Sequence, residues 1–386
     1  MHVTPPPPWP PKSGASRAVA LEILRYGPLS RSEVARRLDL SQGSLTRLSA
    51  PLLESGLLVE ADEQATGRVG RGSRPLDVVA ASHHFIGIKL TGDRAHGVAT
   101  NLRSEVAAEA DSPLASRDPK SVADTLASLT RELADAVPSV TALGIGLGGL
   151  VIDSNVVVSA PFLDWANAPL GQLVEERTGL PTVVGNDLTA LTEFEHWFGA
   201  GQGLDRFAII TLGAAVGYGA VIHDRIVLGP DSGVGLVGHW PLDPLGPLCP
   251  DGHRGCAQSI LTMPSITRML SQVLGYPIEY DACLDLAERG DGAARAIVDQ
   301  GGHGLGRLIA AVANLTLAER VLIGGEGARL AEAAADAVQA GIRMDRDRRA
   351  SPVAVVVHLA DTRKWCRGAA VLAIQRYVLG MDDPTR

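Results

Sequence analysis

Gly233-Val-Gly-Leu-Val-Gly-His239, followed by Cys249-Pro-Asp-Gly-His-Arg-Gly-Cys256-Ala-Gln258, is the stretch on which the reading of this chain turns. It sets a histidine and two cysteines close in sequence among glycines, whose missing Cβ lets the backbone fold tightly. Imidazole and thiolate groups near one another are the donors of a structural zinc site. The plain alternative is two free thiols beside a core histidine. Four cysteines in 386 residues argue against a disulfide framework, so Cys249 and Cys256 read better as metal ligands.

Outward from this stretch, strands alternate with helices. Phe85–Leu90, Ala95–Thr100 and Val106–Ala110 form a β-run, and Pro119–Ala136 reads as a helix. Leu143-Gly-Ile-Gly-Leu-Gly-Gly149 is a buried strand ending in a glycine turn. Leu170–Thr178 is helical, Thr182–Gly185 is a strand, and Asn186-Asp187 opens the helix Leu188–Phe198. A second set begins at Arg206–Leu212 and Gly213–Ile222, passes through helices between Leu261 and Leu317, and ends in strands at Val321 and Val353 and a helix at Lys364–Leu379. This alternation predicts an α/β class, and two similar halves predict two lobes with a cleft between them.

The first eighty residues differ in kind. They hold ten Lys/Arg against eight Asp/Glu, whereas the rest is acidic and the whole chain carries −8. A mildly basic head on an acidic body fits a nucleic-acid module joined to a soluble domain. The proline-rich residues 1–13 read as a disordered tail. In 14–80, Ala20, Ile23 and Leu24 repeat at helical spacing, Ser30 caps a short helix over Arg31–Leu38, and Ser41 caps a third with Leu45, Leu48 and Leu52 on one face. Helix, short helix, tight turn and helix is the helix-turn-helix order. Gln42, Ser44, Thr46 and Arg47 would then face base edges of double-stranded DNA, with Gln suited to adenine and Arg to guanine or phosphate. Pro51 is predicted to kink this helix or end its first half. Arg68, Arg71 and Arg74 in a glycine-rich hairpin read as a wing for phosphates or a narrow minor groove. A solvated loop after a three-helix packing module is the bland alternative.

No run of apolar residues reaches the roughly eighteen of a membrane helix, and the N-terminus lacks the charged and apolar regions of a secretory signal. The expectation is a cytoplasmic protein with no membrane partner.

At this point the order of motifs resembles the ROK family of repressors and sugar kinases, which has the actin-like ATPase fold. The resemblance rests on Ala160-Pro161, Leu180-Pro181 with Gly185-Asn186-Asp187, His196-Trp-Phe-Gly-Ala-Gly201, Thr211-Leu-Gly213, and Gly238-His239 with Cys249, Gly252, Arg254-Gly255-Cys256. It implies a winged helix-turn-helix followed by a two-lobed, ribonuclease H-like body over 83–386. The smaller lobe would be about 83–188 plus the C-terminal helix 364–380, and the larger about 189–363. A helix-turn-helix ahead of this body looks like the repressor branch, such as xylose and N-acetylglucosamine repressors.

The resemblance also implies what the body should hold, and where this chain departs. Family kinases have Asp-x-Gly-Gly-Thr where Lys89-Leu-Thr91-Gly92-Asp93 stands. Their second phosphate loop, Gly-Thr-Gly, is Gly213-Ala214-Ala215, and Glu326 enters the glycine run 324–327. Three damaged nucleotide elements argue against ATP as a cofactor. Asp187 matches the family's catalytic base, and the bland reading is that Asn186-Asp187 caps a helix. Ligand contacts are implied at Gly149, Asn186, Asp187, His239 and Gln258. Family sugar-binding glutamates are Leu236 and Gln258 here, and an asparagine is Phe162, so the pocket is less acidic. Zinc would be held by His239, Cys249 and Cys256 with Asp251 where the family has its middle cysteine, His253 being the weaker substitute. The expectation is therefore a repressor of carbohydrate-related genes, a homodimer or dimer of dimers on an inverted-repeat operator, controlled by a sugar-like effector. The alternative is an ATP-dependent sugar kinase with an accessory DNA-binding head.

Overall fold

The computed structural model describes residues 9, 14–61 and 74–380. The chain forms two compact units: one runs to Ala190 and resumes at Arg363, and the other is Leu191–Thr362.

The first unit opens with α1 (Ala15–Tyr26), α2 (Arg31–Arg37) and α3 (Gln42–Glu54). Each start has a local cause. Ser30 Oγ accepts the Glu33 amide at 3.2 Å and Ser41 Oγ accepts the Ser44 amide at 3.1 Å, satisfying donors that the first turn leaves free. Asp39 turns the chain between α2 and α3 at φ +51°. Val19, Ile23, Leu24, Val34 and Leu45 are fully buried where the three helices meet, each worth ~1.5–3 kcal/mol of transfer from water. Pro51 does not end α3, which runs through it to Glu54. The missing N–H deprives only the Arg47 carbonyl, and with Pro51 in the last turn little helix depends on that bond. Antiparallel β1 (Leu58–Glu60) and β2 (Leu76–Val78) follow, with Leu58 opposite Val78. Arg68 and Arg71 lie outside the described residues.

The first body sheet is built from β3 (His84–Leu90), β4 (Arg94–Asn101) and β5 (Val106–Pro113), then α4 (Pro119–Ala134) and β6 (Ala142–Leu147). A small antiparallel sheet, β7 (Leu150–Ile152), β8 (Val156–Ala160) and β9 (Trp165–Ala168), precedes α5 (Leu170–Thr178), β10 (Thr182–Asn186) and α6 (Asp187–Phe198). Strand order is β10-β6-β3-β4-β5, with β6 and β10 parallel to β3 and the other pairings antiparallel. The period of two decides how β3 is used. Ile86, Ile88 and Leu90 pack into a cluster with Val122 and Leu126 of α4. Phe85, Gly87 and Lys89 face the other way, toward the C-terminal helix Thr362–Leu379. A Cβ on Gly87 would collide with the Cys366 carbonyl, and one on Gly144, its register partner in β6, with the Ala369 carbonyl. These glycines let a helix backbone lie directly on a sheet.

The second unit repeats the topology. It contains β11 (Arg206–Leu212), β12 (Val216–Ile222), β13 (Arg225–Ile226), α7 (Ala257–Leu261), α8 (Met263–Leu274), α9 (Tyr280–Glu288) and α10 (Gly292–Thr316). Then come β14 (Arg320–Gly324), α11 (Leu330–Ala333), α12 (Ala335–Asp345) and β15 (Ala354–Val357). Sheet order is β13-β12-β11-β14-β15, again an antiparallel trio continued by two parallel strands. Among the described residues no helix is long and apolar enough to cross a membrane.

Candidate functional site

In the first unit, β3, β6 and β10 are parallel, so their C-terminal ends gather Thr91, Gly148-Gly149 and Asn186-Asp187. Asn186 is a helix cap: its Oδ1 accepts the amides of Leu188 and Thr189 at 3.0 and 3.1 Å, and its Nδ2 donates to the Gly149 carbonyl at 3.0 Å. Gly149 has φ +155°, and a Cβ there would collide with the Ser159 carbonyl, so only glycine fits. Asp187 accepts the Leu188 amide on Oδ1 at 2.8 Å and is ion-paired through Oδ2 with Lys89. Both side chains are about six-sevenths covered, at 13% and 15% exposure. The Lys89 ammonium also lies 4.8 Å from the centroid of the Trp365 ring. The loop after β3 closes on itself: Thr91 Oγ1 reaches Asp93 Oδ1 at 2.9 Å and the Arg94 carbonyl at 3.0 Å, and accepts the Arg94 amide.

In the second unit, a 3-10 turn at Leu236–His239 carries Gly238 and His239, and α7 carries Gln258. Gln258 Nε2 donates to the Ala214 carbonyl at 3.3 Å, bridging to the loop after β11. The Glu326 carboxylate lies over Gly213 of that loop.

His239, Cys249 and His253 bring their donor atoms together in a group able to hold a metal ion. Cys249 Sγ stands 3.8 Å from His239 Nδ1 and 3.6 Å from His253 Nδ1, and Cys256 Sγ is 3.9 Å from the same His239 nitrogen. Tetrahedral bonds of about 2.3 Å to sulfur and 2.0–2.1 Å to nitrogen place donors about 3.5 Å apart, so the spacing is close to that of a ligated set. Burial raises the Cys249 thiol, but hydrogen bonds led by those from His253 outweigh it and bring the pKa down. Asp251, expected as fourth ligand, instead meets Nε2 of His239 at 3.5 Å, on the far side of the ring from the sulfurs. The loop turns at Gly252 (φ +85°), which swings His253 rather than Asp251 toward Cys249.

On α3, Gln42, Thr46 and Arg47 are exposed and Ser44 is half-buried. Two of these are already committed: Ser44 Oγ accepts from Ser41 Oγ at 3.0 Å, and Thr46 Oγ1 donates to the Gln42 carbonyl at 3.0 Å. Arg74 lies 3.8 Å from Glu60, a loose exposed pair.

Residues 85–376 match the ROK family. The chain belongs to the ROK family. Its similarity runs across both branches of that family. The DNA-binding transcriptional dual regulator NagC of Escherichia coli K12 is 31% identical over 328 residues, spanning 81% of this chain and 80% of NagC. A solved ROK transcriptional regulator, homologous to the Escherichia coli Mlc protein, superposes with a TM-score of 0.77 at 25% identity, over 95% of this chain and 96% of that one. A ROK glucokinase from Streptomyces griseus, solved with glucose and AMPPNP, gives a TM-score of 0.63 at 26% identity over 75% of this chain and 98% of its own. A kinase matched almost entirely thus accounts for three quarters of this ROK chain, and a regulator for nearly all of it.

Sequence reading alone undervalued His253 and said nothing of Trp365 or of β7–β9. For β7 and β8 a signal existed: Asp153 and Ser154, both at positive φ, separate Val151-Ile152 from Val156-Val-Val.

Proposed function

We infer that this chain is a DNA-binding transcriptional regulator, a repressor of carbohydrate-related genes, whose kinase-like body binds a sugar-like effector without phosphorylating it. The observation that carries the reading is the ion pair between Lys89 and Asp187. Asp187 stands where a family kinase needs a free base to take a hydroxyl proton. Here its carboxylate is already held by a cation on β3, across the intervening strand β6. Two further features support the absence of ATP turnover: the self-closed Thr91 turn and the Glu326 carboxylate over Gly213. Oxygen-rich phosphates need open amides and positive charge, not a fixed carboxylate.

The head is read as a winged helix-turn-helix from α1, α2, α3 and the β1–β2 pair. Gln42 and Arg47 are its base-edge or phosphate contacts, Ser44, Thr46 and Arg74 lesser ones, with Arg68 and Arg71 assigned to the wing from the sequence. The extent of the likeness to the solved regulator supports this, since the family match begins only at residue 85. Effector contacts are assigned, as the family resemblance implies, to Gly149, Asn186, Asp187, His239 and Gln258. A homodimer, or a dimer of dimers, would read an inverted repeat, because two-fold proteins meet two-fold operators.

The metal group is assigned to zinc on its soft donors, with His239, Cys249, His253 and Cys256 to hold it and Asp251 to orient His239. Bound there, zinc would fix the loop that carries His239 and would supply no chemistry to a ligand.

One experiment separates the readings. Purified chain is tested on fragments of its own genome by mobility shift, and on hexoses with ATP for phosphate transfer. The expected result is a specific shifted fragment and no sugar phosphate. Hexose phosphorylation abolished by Asp187→Asn, with no fragment shifted, would replace the regulator by a kinase.

A further inference from the structure

Within the first unit an unbroken line of contacts joins the Asp187 carboxylate to the end of α1. Lys89 is the first link, shared between that carboxylate and the Trp365 ring. Trp365 stands near the start of the C-terminal helix, which has no slack against the sheet at Gly87 and Gly144. Two residues on, Arg367 Nε donates to the Ser104 carbonyl at 2.6 Å, and Ser104 Oγ donates back to the Arg367 carbonyl at 3.3 Å. Ser104 is fully buried in the β4–β5 turn at φ +56°. Its neighbour Arg103 donates to the carbonyls of Leu24 at 3.2 Å and Ile23 at 2.9 Å, and is ion-paired with Asp77 of β2. A guanidinium there meets the negative end of the α1 dipole. Gly27 keeps the approach open, for a Cβ on it would stand 2.8 Å from the guanidinium.

We propose that Lys89 and Arg103 are the two ends of a relay that couples ligand occupancy at Asp187 to the seating of the first three helices. A polyhydroxylated ligand that hydrogen-bonds Asp187 competes with Lys89 for the carboxylate. Lys89 has a second cation-holding partner in Trp365, so losing the first moves it rather than stranding it. The start of the C-terminal helix shifts with Trp365. Arg367 and Ser104 carry the shift to Arg103, which changes its hold on α1 and β2. An ion pair covered to this extent is often replaceable by apolar residues without loss of stability. Phe85 and Gly87 on the same face of β3 pack without charge, so packing alone does not call for the Lys89–Asp187 pair. The relay deepens the regulator reading and rests on it only for its output; the coupling itself is internal to the unit.

The test is hydrogen exchange by mass spectrometry on the full chain without DNA, comparing wild type with Lys89→Met, Trp365→Leu and Arg103→Gln. The Gly27 amide is the reporter, since it donates to the Ile23 carbonyl that Arg103 also holds. Lys89→Met and Trp365→Leu are each expected to speed exchange about tenfold at 23–27 and 101–105, leaving α10 unchanged. Arg103→Gln is expected to do the same at 365–368, because coupling is reciprocal. Changes confined to the neighbourhood of each substitution overturn the relay. If Lys89→Met does not fold, Trp365→Leu, which keeps the ion pair, decides alone. A chain that binds no DNA leaves this result standing, whereas a DNA-binding chain whose 23–27 segment is indifferent refutes the relay and spares the regulator.

Discussion

The Glu326 carboxylate lies so close to Gly213 that a Cβ on that glycine would stand 2.6 Å from Oε2. The two residues come from the loops after β11 and β14, adjacent parallel strands whose C-terminal ends meet there. In open α/β sheets this is where phosphates bind. Wild type is therefore expected to bind AMPPNP more weakly than millimolar by calorimetry. Glu326→Gly removes about 1 kcal/mol of repulsion, roughly fivefold in affinity. Submillimolar binding by the wild type would sink the idea that these loops have lost their nucleotide.

The metal group divides its residues sharply. Cys249→Ser and His253→Asn are each expected to abolish stoichiometric zinc, measured by plasma mass spectrometry after gel filtration. Asp251→Ala should keep one zinc with affinity lowered about 10–100-fold, the usual cost of losing a partner that orients a ligand. The reverse pattern, with Asp251 essential and His253 dispensable, would restore the ligand set expected from the sequence.

The face of α3 yields a graded series. Gln42→Ala should cost ~1–3 kcal/mol on a specific operator and relax preference at one base pair. Arg47→Ala should lower the slope of log affinity against log salt by about one if it meets phosphate. Thr46→Ala should change little, since that hydroxyl is spent on the Gln42 carbonyl. Titration of fluorescent DNA at several salt concentrations measures all three, and an Arg47→Ala chain indistinguishable from wild type would count against α3 as the reading helix.

Arg36 and Arg37 hydrogen-bond Glu33 and push its carboxyl from an ordinary 4.5 down to about 2. The folded value lies below the unfolded one, so this contribution is fully present above about pH 4.5 and is lost as pH falls toward 2. Carbon-detected NMR should place the Glu33 midpoint near 2, and Arg36→Ala with Arg37→Ala should return it toward 4.5. Because the group is exposed, high salt should move it the same way. A wild-type midpoint near 4.5 would show that the pairing does not persist in solution.

Much of this was legible beforehand because its causes are local. Ser30 and Ser41 announce helices through an oxygen one residue ahead of an amphipathic run, and both accept the expected amides. The central strands β3, β6, β11 and β14 show as runs of buried, mostly apolar residues. What was not legible depends on non-local geometry. Lys89 reads in sequence as a damaged phosphate loop, and only the pairing of β3 with β6, and of β6 with β10, brings its ammonium to Asp187. His253 and Asp251 are two residues apart, and the turn at Gly252 decides which faces Cys249. Of the two outcomes expected at Pro51, a kink or an end, the end does not occur, because a single turn follows the proline and α3 runs on to Glu54.

The C-terminal helix covers a sheet whose last strand, β10, ends at Asn186. A ribosome adding ~5–20 residues each second releases that helix on the order of ten seconds or more after β10. Throughout that interval Phe85 and the bare backbone at Gly87 and Gly144 have nothing to cover them. The second unit, whose strands and helices all lie within Leu191–Thr362, has no such wait. The order of synthesis is thus the reverse of the order of completion, and the half made first is the half that a chaperone would have to guard.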